Sequence, residues 1–348
     1  MIETDREHGA ELTESMNDHA DQRKVLITGG AGFIGSHLAE ALVARGDRVV
    51  VIDNLSTGSR DNLAHLPPEQ CALVPATVDE AIHHYAPGTF DEIYHLAAAV
   101  GVRLVIEQPI HTIETNVHET SAMLRFAAAA RTPILIASTS EVYGKSTRVP
   151  FSEDDDVVYG PTICSRWSYA CSKAIDEYLA LAYHREQRVP AVITRFFNTV
   201  GPRQVGNYGM VLPRFVEAAL AGEPLEVHGD GGQIRSFCDV RDVVPALPRL
   251  LESPQSAGKV FNIGHDRTIS IFDLAHLVIK ELDSSSRVEL VPYERVFGEH
   301  FDDLRARQPD LTRIREAIGF RPSIELEETI RDLAAWRQRA AGTTEHSA

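Results

Sequence analysis

Apolar and polar positions change in regular blocks along the first two thirds of the chain. Val25, Leu26 and Ile27 form a continuous apolar run, the pattern of a strand covered on both faces. Ile34, Leu38, Leu42 and Val43 then fall on one helical face. Further strands are expected at 48–52, 71–75, 91–96, 133–137 and 191–196, and helices at 78–85, 110–130 and 168–188. Strand and helix taking turns imply an α/β chain with a Rossmann-type doubly wound parallel sheet. From Asn198 the texture changes: Gly, Pro and Arg cluster, and short apolar segments follow at 213–221, 225–228, 240–251, 260–263 and 271–282. That pattern predicts a smaller C-terminal α/β lobe over the substrate side, with some segments returning to the sheet. The expected division is a disordered acidic tail at 1–22, a dinucleotide-binding domain at 23–197, the lobe at 198–337 and a frayed tail at 338–348.

Between the first strand and its helix stand Gly29, Gly30, Gly32 and Gly35. Such a turn lets backbone approach a pyrophosphate, and the helix N–H groups then face the phosphate charge. The second strand ends in Asp53, an acid placed to accept both ribose hydroxyls and to repel a 2′-phosphate. The expected cofactor is therefore NAD and not NADP. Ligands of such sheets bind beyond the carboxyl ends of the strands, which would put Gly29, Asp53, Ala97, Ser138 and Phe197 around one crevice.

Composition narrows the classes. The formal net charge of −16 comes with no basic cluster, so neither nucleic acid nor an anionic membrane is an expected partner. No apolar signal region or membrane-length run is present, and a cytoplasmic location is expected. Cys71, Cys164, Cys171 and Cys238 form no CxxC pair, and no HExxH occurs. Reduced thiols and no metal are the expectation.

Two segments carry candidate chemistry. Ser138-Thr139-Ser140-Glu141-Val142-Tyr143-Gly144 closes the fifth strand, and Tyr169 and Lys173 share one face of the following long helix. An ammonium beside a phenol favours the phenolate. Tyr169 is then expected to take a proton from a sugar hydroxyl while hydride leaves the same carbon, with the Thr139 hydroxyl sharing the hydrogen bond.

With the motifs TGGAGFIG, DNLSTG, HLAA, STSEVYG, YACSK, RFFNTVGPRQ and GDGGQIRSF, the chain resembles the extended short-chain dehydrogenase/reductase family of nucleotide-sugar epimerases, dehydratases and decarboxylases, from about Lys24 to Trp336. The resemblance implies NAD contacts from Gly29, Gly32, Phe33, Ile34, Gly35, Asp53, Asn54, Ser56, Thr57, Gly58, Leu96, Ala97, Ala98, Asn116 and Ser138, together with Tyr169 and Lys173. It implies a nucleotide-sugar substrate, most often UDP-linked. Asn198 and Arg235 would hold its diphosphate, and Leu212, Val227 and His228 would line the nucleobase side. Ser140, Arg203 and Arg307 would complete that site. It also implies a homodimer built on the two long helices, for which the apolar faces carrying Leu179 and Tyr183 are candidates.

Members of this family oxidise a sugar at C4 and later return the hydride. Glu141 stands where many 4-epimerases carry a small residue. The segments Gly160-Pro161…Arg166-Trp167-Ser168-Tyr169 and Arg307-Gln308-Pro309-Asp310 are similar to those of UDP-glucuronate decarboxylases, where the arginine would hold a C6 carboxylate. The alternatives are a UDP-sugar or UDP-uronic acid 4-epimerase, a 4,6-dehydratase, and a non-catalytic binding protein. The chain departs from the decarboxylase pattern at Ala98–Val102 and at Gln308. An Asp common near the end of the third strand is absent, with Ala76-Thr77-Val78 there instead. Glu119 replaces a glycine common after Asn116.

Overall fold

Seven parallel strands form the central sheet: β1 (Lys24–Thr28), β2 (Arg48–Ile52), β3 (Cys71–Val74), β4 (Glu92–His95), β5 (Ile134–Thr139), β6 (Ala191–Phe196) and β7 (Lys259–Ile263). Their order is β7-β6-β5-β4-β1-β2-β3, so the chain reverses direction across the sheet between β1 and β4. The computed structural model describes residues 22–206, 210–297 and 304–345. The acidic tail expected at 1–22 lies outside these residues apart from Gln22.

Burial explains the central strands. Val25, Leu26 and Ile27 are fully buried, and their side chains feed two apolar clusters, one on each face of the sheet. Helix α1 (Phe33–Arg45) packs Leu38 and Leu42 onto one face. Helices α2 (Pro109–Ala130) and α3 (Ser168–Gln187) cover the other, through Met123, Leu124 and Ala180. Leu179 and Tyr183 pack against this same cluster, so they are core residues and not a free second face.

The segment around Val260, read from sequence as part of the lobe, is the edge strand β7 beside β6. The lobe contains α4 (Val211–Ala221), α5 (Ile271–Glu281) and α6 (Leu326–Glu345), which enclose their own core of Phe215, Leu274 and Leu333. The apolar segment at 240–251 forms two short helices, Val240–Val243 and Ala246–Glu252, with Pro245 at the break. Helix α6 runs to Glu345, past the point where a frayed tail was expected; an alanine- and arginine-containing sequence continues the helix there. No described helix is long and apolar enough to cross a membrane.

A buried ion pair fixes α3 to the sheet. Arg195 of β6 donates to both carboxylate oxygens of Glu177, at 2.9 and 2.7 Å, and stacks on the Tyr143 ring. Ser138, at the end of β5, donates to the same carboxylate at 2.5 Å. Replacing Glu177 with Leu strands the Arg195 guanidinium, and urea unfolding should show a loss of about 3–5 kcal/mol. The double variant Glu177→Leu/Arg195→Leu should lose less than the single one, because no charge is left unpaired.

Candidate active site

The carboxyl ends of β1, β2, β4, β5 and β6 open into one crevice of 1570 Å³, closed on its far side by the lobe. That is larger than the usual ~300–1,000 Å³ of a small-ligand pocket. It is roomy enough for a dinucleotide and a second nucleotide together.

At the end of β1, Gly29 adopts φ +70°, and a Cβ there would lie 2.8 Å from the Ala97 backbone nitrogen. A Cβ on Gly35 would collide with the Gly29 carbonyl oxygen and lie 2.6 Å from Gly30 Cα. Only a glycine-rich turn lets α1 start this close to the strand, with its first N–H groups facing the crevice. Asp53, buried at the end of β2, accepts the Ala31 N–H at 2.9 Å and the Leu55 N–H at 2.8 Å. This cradle with an acid at its rim fits a dinucleotide carrying free ribose hydroxyls. Gly32, Phe33, Ile34, Asn54, Ser56, Thr57, Leu96, Ala97, Ala98 and Ser138 line the same crevice.

Other expected residues stand elsewhere. Gly58 packs on the Ala31 backbone and is absent from the lining. Asn116 is buried behind the wall, where its Oδ1 accepts the Ala99 N–H at 2.8 Å and its Nδ2 donates to Ser172 at 3.1 Å. Phe197 is fully buried against Tyr143 and Phe151, and its neighbour Phe196 faces the crevice. In the lobe, Leu212 and Val227 belong to the apolar core, because helix and strand periodicity turns them inward. Their neighbours Val211, Glu226 and His228 line the crevice instead. Asn198, Arg203, Arg235 and Ser140 line it as expected. Asn198 is anchored by donating to the Ser236 carbonyl at 2.8 Å, and Arg235 by donating to the Leu304 carbonyl at 2.8 Å.

Tyr169 and Thr139 face the crevice together, the phenol beside the threonine hydroxyl. Lys173 does not reach it. Its ammonium is buried and lies 2.7 Å from the fully buried Asp176 carboxylate. The expected lowering of the tyrosine pKa is therefore absent. Burial raises the Tyr169 phenol above its ordinary value, and the Glu141 and Asp176 charges push it the same way against the Thr139 hydrogen bond.

The strongest electrostatic feature joins three distant segments. Glu141, just past β5, meets Arg307 of the short lobe strand Ala306–Arg307 in a direct ion pair. Its other oxygen lies 2.9 Å from Arg166, in the turn that precedes α3. Both guanidiniums are buried and line the crevice. Burial alone would raise the Glu141 carboxyl, but the two arginines overcome it and hold it down at about 2. Arg166 had no role in the sequence reading, although the Arg166-Trp167 segment was its signal. Among the described residues no group of His, Cys, Asp or Glu is arranged to hold a metal ion, and the four cysteines are free thiols.

The GDP-mannose 4,6-dehydratase family model matches residues 26–333. The UDP-N-acetyl-alpha-D-glucosaminuronate decarboxylase of Bacillus cytotoxicus is 40% identical over 316 residues, covering 90% of this chain and 98% of the relative. UDP-glucuronic acid decarboxylase 4 of Arabidopsis thaliana is 37% identical over 321 residues, 92% of this chain and 70% of the relative. Among solved structures, the dTDP-glucose 4,6-dehydratase of Streptomyces venezuelae, with NAD bound, superposes with a TM-score of 0.81 at 28% identity, covering 92% of this chain and 98% of that one.

Because the folded Glu141 pKa lies below its unfolded value, the cluster contributes stability above about pH 4.3 and loses it as pH falls towards 2. Glu141→Gln should cost on the order of 3 kcal/mol at pH 7. Unfolding curves of the variant and the parent should converge between about pH 4.3 and 2.

Proposed function

The chain belongs to the GDP-mannose 4,6-dehydratase family, within the extended short-chain dehydrogenase/reductases that act on nucleotide sugars, and from that premise we propose an NAD-dependent decarboxylase of a UDP-linked hexuronic acid, with UDP-glucuronic acid as substrate. The observation that carries this reading is the Arg166–Glu141–Arg307 cluster. Two guanidiniums converge on one carboxylate in a buried wall of the crevice. The C6 carboxylate of a uronic acid is a group of the same kind and can be held there through bidentate pairs. A neutral hexose offers the arginines no such group.

NAD, when bound at the glycine turn and Asp53, supplies the hydride acceptor at sugar C4 and a cationic nicotinamide. Tyr169 and Thr139 would hold the C4 oxygen between them, and Tyr169, ionised beside the cationic ring, would take the C4 hydroxyl proton as the carbon–hydrogen bond breaks and give it back when the alcohol re-forms. The resulting C4 ketone makes the C6 carboxylate that of a β-keto acid. The C5–C6 bond then breaks, CO2 leaves, and the electron pair passes onto the C4 oxygen, where the Tyr169 and Thr139 hydroxyls stabilise it. A substrate carboxylate that occupies Arg166 and Arg307 draws them away from Glu141. Glu141, released from the arginines, would relay a proton taken up from solvent to C5, replacing the carbon lost as CO2. Return of the hydride to C4 regenerates the alcohol.

Incubation with UDP-glucuronic acid and NAD, followed by mass spectrometry and proton NMR, should show loss of CO2 to a UDP-pentose. UDP-N-acetylglucosaminuronic acid, named for the 40%-identical relative, is the second substrate to offer. An unchanged mass with an altered C4 coupling would instead identify a 4-epimerase. Arg307→Ala should lower decarboxylation by about 10²–10³-fold while leaving the NAD dissociation constant unchanged. Full activity in that variant would sink the assignment.

A cytoplasmic homodimer is part of the same reading. Ile110 and Ile113 of α2 and Ile175 and Tyr178 of α3 are exposed, on two helices that already pack on each other. Light scattering should give a dimer, and Tyr178→Glu should shift it to monomer.

A further inference from the structure

One buried carboxyl in the crevice has no part in the chemistry above. Glu119, on α2, is 8% exposed and lines the crevice with Asp53, Ala76, Thr77 and Val78. Its carboxylate lies near the Val78 backbone N–H, at the start of the short helix Val78–Ile82. The helix start is already served by a capping box between Thr77 and Glu80, so Glu119 is not the main cap. Burial, with the Asp79 and Asp53 charges, raises Glu119 to about 7 against the pull of the Val78 N–H and the Lys173 ammonium. An acid held at such a cost in a ligand crevice marks a place where a ligand donor is met.

The sheet order locates that donor. The ends of β1, β2 and β3 stand in a row, carrying the glycine turn, Asp53 and the Ala76–Val78 segment. A dinucleotide with its pyrophosphate on the turn and its ribose hydroxyls on Asp53 presents its base to the end of β3. Glu119 reaches this point from α2, which packs on the Val78–Ile82 helix, beside a strand end where Ala76, Thr77 and Val78 bring no side-chain carboxylate.

We propose that Glu119 reads the cofactor's base, accepting a hydrogen bond from the exocyclic amino group of adenine, and so selects the adenine dinucleotide over its hypoxanthine analogue. Hypoxanthine carries a carbonyl oxygen where adenine has the amino group, and sets acceptor against acceptor. The inference rests on the NAD reading of the crevice.

The test is calorimetric titration at pH 8 of the full-length, nucleotide-free protein with NAD and with nicotinamide hypoxanthine dinucleotide. The parent should prefer NAD by about 10–100-fold, the value of a hydrogen bond to a charged, buried acceptor. Glu119→Ala should weaken NAD binding and bring the two dinucleotides towards parity. Glu119→Gln keeps an acceptor for the Val78 N–H, so the helix start stays intact, and its amide N–H can face the hypoxanthine carbonyl; here too the preference should collapse. Equal binding of the two dinucleotides by the parent, or an undiminished preference in both variants, overturns the proposal. If the parent binds neither dinucleotide, the NAD reading falls, and this inference with it.

Discussion

Everything about the crevice turns on one carboxylate shared by two arginines. Glu141 hangs from the end of a sheet strand, Arg166 from the turn before α3, and Arg307 from a strand of the lobe. The cluster therefore does two jobs through one set of contacts. It pins the lobe over the sheet, and it gathers two guanidiniums in the crevice wall. A buried cluster of this kind is a weak source of net stability, so its value lies in what it makes the crevice ready to accept.

Much of this was legible in the sequence, for identifiable reasons. The β1 run and the Gly29–Gly35 turn are local patterns with a physical cause inside a few residues, and they were read correctly. Glu141 and Arg307 were singled out 166 positions apart, and the fold brings them into direct contact. What escaped the reading depended on orientation. Leu212 and Val227 sit in segments that do border the crevice, but their side chains point into the lobe core while their neighbours face the ligand side. Asn116 and Phe197 stand one layer behind the wall. Arg166 was passed over because an arginine beside a tryptophan reads as a surface pair until the tertiary contact with Glu141 is seen. Some segment after Asn198 was expected to return to the sheet, and the strand at 259–263 is that segment; which one it would be was hidden because its partner β6 is distant in sequence.

The proposed chemistry asks the same wall to serve two carboxylates in turn. With the substrate absent, Glu141 satisfies both arginines. A uronic acid competes for them, and a hexose does not. Discrimination between the two then comes from exchange of charge and not from shape, which is why a roomy crevice is compatible with selectivity.

The pairing of Lys173 with Asp176 has a consequence for the empty protein. The Lys173 ammonium is held at 2.7 Å by a buried carboxylate and does not border the crevice, while burial and the Glu141 and Asp176 charges hold the Tyr169 phenol above its ordinary value. A charge able to favour the phenolate is then one that the oxidised dinucleotide, with its cationic nicotinamide ring, would bring beside the phenol.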